Sequence, residues 1–75
     1  MDKITVQEQN ELNHAINNAD QDKTAEIFLM LKEKYHWSAD ESRSYYLHLM
    51  NTLGKATQRV VVKYAYFLAT NRKLT

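Results

Sequence analysis

The sequence predicts an all-α fold, a compact bundle of three to four short helices, and three observations carry that expectation. The chain has no proline and one glycine, Gly54, too few for the tight hairpins that a small sheet protein needs. Two capping boxes, Thr5 with Glu8 and Ser38 with Glu41, mark helix starts. Between such marks apolar residues recur three and four positions apart, the period of one helix face.

The first helix is predicted over residues 6–18, with an inward stripe of Leu12, Ala15, Ile16 and Ala19. Asn10, Asn13, Asn17 and Asn18 lower its intrinsic propensity, so it depends on tertiary contacts. Asp20 is a candidate N-cap for the second helix, which carries Thr24, Ala25, Ile27, Phe28, Leu31 and Tyr35 on a broad inward face and ends near His36. The third helix follows Ser38 with an apolar arc of Ser42, Tyr45, Tyr46, Leu49, Met50 and Leu53, and Gly54 suits a left-handed cap at its end. The fourth is expected over residues 56–71 with Ala56, Val60, Val61, Tyr64, Phe67 and Leu68 turned inward. The β-branched run Val60-Val61-Val62 leaves a strand as the minority alternative there.

A chain of 75 residues is read as a single domain, 1–75, because a chain of this size buries only about 60% of its unfolded surface and has no material for two cores. Its expected stability is about 4 to 11 kcal/mol, a range in which dimerisation helps noticeably. There is no cysteine, and no apolar run of signal-peptide or membrane-span type, so the expected setting is cytoplasmic, without a membrane.

Charge is unevenly divided. Residues 1–53 carry all nine acids and five bases, a net of −4, whereas residues 54–75 carry Lys55, Arg59, Lys63, Arg72 and Lys73 and no acid, a net of +5. At 100° per residue Lys55, Arg59, Lys63, Tyr66, Thr70 and Lys73 share an arc of roughly 80° on the fourth helix. Such a stripe can meet an acidic protein surface, track phosphates with Tyr66 stacked on a base, or simply keep a helix face wet while opposing the macrodipole.

Other motifs point less far. The second and third helices, joined by Tyr35-His36-Trp37, have the outline of a helix-turn-helix, but the turn lacks the usual glycine and the recognition position offers Asp40, Glu41, Ser44, His48 and Asn51, few of them phosphate-seeking. Glu11 with His14 and Glu33 with His36 have the Glu-x-x-His spacing of helical di-metal sites, yet such a site also needs a glutamate from each of two further helices and all its ligands inward, whereas Glu11 and His14 lie off the apolar stripe of the first helix and Glu33 on the outer face of the second, so no metal or other cofactor is predicted. Without a cysteine nucleophile, a histidine-paired base or a glycine-rich loop, no enzymatic reaction is predicted either.

Eight aromatic residues exceed what one small core easily takes in. Trp37, between helices, is either an interface anchor or a lid on the core beside the third helix's cap. Met30 and Leu47 fall outside the apolar arcs, a hint of a self-association face. The sequence therefore predicts a small non-catalytic protein that binds a larger protein partner as a regulator, inhibitor or adaptor, with a homodimer as a further expectation. The partner-binding candidates are Lys55, Arg59, Lys63, Tyr66, Lys73 and Trp37; the alternative is a nucleic-acid-binding regulator using the basic C-terminal helix.

Overall fold

Four helices form in the order α1 (Val6–Asn17), α2 (Gln21–Lys34), α3 (Ala39–Thr52) and α4 (Ala56–Leu74) in the computed structural model, which describes residues 4–74 and the side chains of residues 4–71. Both capping boxes are formed: the Glu8 amide donates to Thr5 Oγ1 while the Thr5 amide donates to Glu8, and Ser38 and Glu41 repeat the exchange at the start of α3. Asp20 caps α2 by accepting from the Lys23 amide at 3.0 Å. Among the described residues there is no strand, and Val61 and Val62 lie buried within α4.

One core joins all four helices: Leu12, Ala15 and Ile16 from α1, Ala25, Ile27, Phe28 and Leu31 from α2, Leu49 from α3, and Val62, Ala65 and Ala69 from α4, with Trp37 from the α2–α3 link. The pairing of α2 with α4 is the most extensive, α1 packs against both, and α3 packs on α4. Thr24, fully buried, loses no hydrogen bond, because its hydroxyl donates to the Asp20 carbonyl at 2.8 Å. The Cα radius of gyration, 11.3 Å, is that of a fully compacted chain of this length. Among the described residues no helix is long and apolar enough to cross a membrane.

Three expectations are corrected. The left-handed turn residues are not Gly54 but Ala19, with φ 56°, and His36, with φ 54°. Each sits one residue past a helix cap in a Schellman arrangement. The Asp20 amide donates to the Ala15 carbonyl and the Ala19 amide to Ile16; likewise the Trp37 amide donates to Lys32 and the His36 amide to Glu33. His36 thus takes, in the α2–α3 turn, the place that a glycine usually holds in a helix-turn-helix, while α3 ends on an extended Leu53. Ala19, being in that turn, is exposed and leaves the stripe of α1.

The third correction concerns α4. Its buried face is Val61, Val62, Ala65 and Ala69, so Ala56, Val60, Tyr64 and Phe67 face outward. Small side chains allow two helices to approach closely, and α4 turns its small-residue face to α2, where Ala25 is also fully buried. The bulkier residues are left outside.

Candidate functional site

The rotation of α4 gives it two apolar arcs. Beyond the buried one, Val60, Tyr64 and Phe67 fall within about 60° of each other at helical spacing and are 49%, 53% and 51% exposed. Between the arcs run the cations singled out in the sequence. Lys55, Arg59 and Lys63 are exposed, and Arg59 is partly committed: its Nε donates to the Leu53 carbonyl at 2.9 Å, satisfying an acceptor at the end of α3. Thr70 turns its hydroxyl back to the Tyr66 carbonyl. The side chain of Lys73 lies outside the described residues.

Tyr66 is half-buried, and its ring stacks on Tyr46 of α3 with centroids 4.2 Å apart and planes 13° from parallel. One face of its ring is therefore engaged within the protein. Trp37 is 6% exposed and takes the lid position, its ring between Tyr35 at 5.9 Å and Tyr45 at 5.1 Å. An anchor for a partner has to reach the surface, which this indole does not. Met30 and Leu47 are exposed, on α2 and α3 respectively.

A second cluster went unread in the sequence. Glu8, 7% exposed, accepts from Lys34 Nζ at 2.7 Å and from the Tyr35 hydroxyl at 2.6 Å, in addition to its capping bond. The Lys34 ammonium, the Thr5 amide and the Tyr35 hydroxyl together hold the carboxyl at about 2, against burial acting the other way. In return the carboxylate raises Lys34 and Tyr35. The cluster ties the start of α1 to the end of α2 and commits three of the carboxylate's roughly four acceptor sites to holding the fold. A signal did exist: Glu8 is one turn before Leu12 on the apolar stripe, where a carboxylate must find partners.

Tyr45 bridges to α1 by donating to Gln9 Oε1 at 3.2 Å, and burial, helped by the Glu8 charge, pushes its phenol up to about 12. Glu11, His14, Glu33 and His36, the two Glu-x-x-His pairs, are all exposed. Among the described residues no three potential metal ligands come together. No protein-family model, curated protein or solved structure matches the chain.

Proposed function

We propose that this protein is a non-catalytic binding module that docks on a larger protein through the outer face of α4, with Val60, Tyr64 and Phe67 as the apolar contact and Lys55, Arg59 and Lys63 as its basic flank. The observation that carries this reading is the exposure of about half of each of those three large side chains on a helix whose core face is made of valine and alanine. Burying them against a partner returns roughly 25 cal/mol per Å² of apolar surface. Tyrosine and phenylalanine also supply that area at low entropic cost. The flank fits an apolar groove rimmed by Asp and Glu, and such charges would set the approach and register more than the affinity.

Two features weigh against nucleic acid as the partner. Tyr66, the residue placed to stack on a base, has one ring face covered by Tyr46 and lines a cavity rather than the outer face of α4, and Arg59 is partly spent on the Leu53 carbonyl. Valine and phenylalanine at the centre of the face also offer nothing to a phosphate backbone.

The test is a photo-crosslinking amino acid at position 67, compared with one at exposed Glu26 on α2, in the native cells. A discrete protein adduct from position 67 alone, lost when Lys63→Glu is added, is the expected result. Equal adducts from both positions, or none from 67, would overturn the proposal. An adduct of twice the chain mass would redirect it to a homodimer. Anisotropy titrations on labelled single- and double-stranded nucleic acid at about 50 and about 200 mM salt complete the test, since tight binding that falls steeply with salt marks a phosphate contact instead.

A further inference from the structure

A cavity of about 270 Å³ opens at one end of the bundle, between the second half of α2, the α2–α3 link, the first turns of α3 and the last turns of α4. Phe28, Trp37, Tyr45, Tyr66 and Ala69 form the apolar part of its walls, and Ser42, Lys32 and Thr70 the polar part. Two polar atoms of these lining residues are buried and have no hydrogen-bond partner among the described residues: the indole Nε1 of Trp37 and the hydroxyl of Ser42. An indole N–H can only donate, and a serine hydroxyl can donate or accept. A buried donor without an acceptor costs about 1 to 3 kcal/mol, so two such atoms beside one apolar cavity are not a neutral arrangement.

We propose that this cavity is a binding site for a small planar aromatic molecule that carries a carbonyl oxygen. The chemistry of the walls selects the class. Four aromatic rings favour a flat apolar guest by stacking and edge contacts. An apolar cavity of about 150 Å³ already admits benzene, so the present volume takes a fused two-ring system. A carbonyl is the group that suits both orphaned atoms, because its lone pairs accept from an indole N–H and from a serine hydroxyl alike. Both atoms are shielded in the unliganded protein, so binding of the guest entails a shift of the side chains that line the cavity. The site stands apart from the outer face of α4 and does not depend on the reading of that face.

Trp37 is the only tryptophan, so its indole N–H gives one assignable resonance in the ¹⁵N-labelled full chain. The probes are 1-indanone and indane, which share a two-ring skeleton and differ in the carbonyl. The expected result is a saturable shift of the indole resonance with 1-indanone, and affinity about tenfold weaker for indane, the ratio that one satisfied buried donor commands. Ser42→Ala should narrow that ratio. Ala39→Phe, at an exposed lining position, should abolish the saturable shift without touching the core, and Ala69→Val should weaken it from the buried wall. No saturable shift up to the solubility limit, equal affinity for the two probes, or unchanged binding in a folded Ala39→Phe variant would each overturn the proposal.

Discussion

The two sides of this bundle are built differently. On the side of α1, α2 and α4 the largest fully buried side chains are Leu12, Thr24, Leu31 and Val62, and a buried carboxylate ties two helices end to end. On the side of α3 only Leu49 is buried, while Tyr45, Tyr46, Met50 and Leu53 are half-covered and the cavity with its two orphaned polar atoms lies alongside. The same chain thus concentrates close packing among α1, α2 and the inner face of α4 and leaves half-covered aromatic side chains on α3. The less tightly packed part is the one with room to rearrange, because close packing leaves side chains little space to move into.

The largest expected effect tests that division directly. Leu31→Ala, which empties a fully buried position, should cost about 3 to 4 kcal/mol in urea denaturation, whereas Met50→Ala on half-buried α3 should cost about 1 kcal/mol. Equal losses would mean that α3 is as integral to the core as α2, and the comparison would fail.

Next comes the tie itself. The Glu8 carboxyl is held at about 2, below its ordinary 4.5, so the folded state favours the ionised form. A depressed carboxyl contributes stability above its unfolded value and loses it as pH falls through the folded one. Thermal unfolding of the wild type should therefore weaken between pH 4.5 and about 2. Glu8→Gln, which keeps the shape and removes the charge, should unfold at a lower temperature at neutral pH and show a flatter acid limb. An unchanged acid limb in the variant would assign acid sensitivity elsewhere and detach Glu8 from the packing of the tight side.

Much of this architecture is local and so was legible in the sequence. Capping boxes and an i, i+3, i+4 stripe specify α1 to α3 because each needs only neighbours in the chain. The face of α4 was not legible, since Val60, Tyr64 and Phe67 make as good an amphipathic arc as Val61, Val62, Ala65 and Ala69. The choice between them belongs to α2, whose broad apolar face accepts a close neighbour, and that is a tertiary fact. For the same reason the basic stripe was found on an outer face, while Val60, Tyr64 and Phe67 beside it were assigned to the core. Trp37 was legible as an unusual residue, and its pairing with Tyr35 and Tyr45 was not, because Tyr45 is brought to it by the packing of α3.

The smallest predicted effects concern two turns, one on each side. Ala19, between α1 and α2, holds φ 56° with its β-carbon exposed, in the conformation where an L side chain is strained and glycine is not. The Schellman bonds, 2.9 and 3.0 Å, are what keep it there. Gly54, between α3 and α4, does not have a positive φ, and a β-carbon built on it meets nothing within 4 Å. Its freedom is therefore unused in the folded state and adds only to the entropy of the unfolded one. Ala19→Gly and Gly54→Ala should each raise stability, by about 0.5 to 1 kcal/mol, through opposite causes: relief of strain in the first, fewer unfolded conformers in the second. Urea midpoints measure the gains, and amide exchange locates them. If Gly54→Ala instead lowers stability or loosens the end of α3, then the turn on the open side needs a glycine to move, and the division between a fixed and an adaptable side becomes sharper than packing alone makes it.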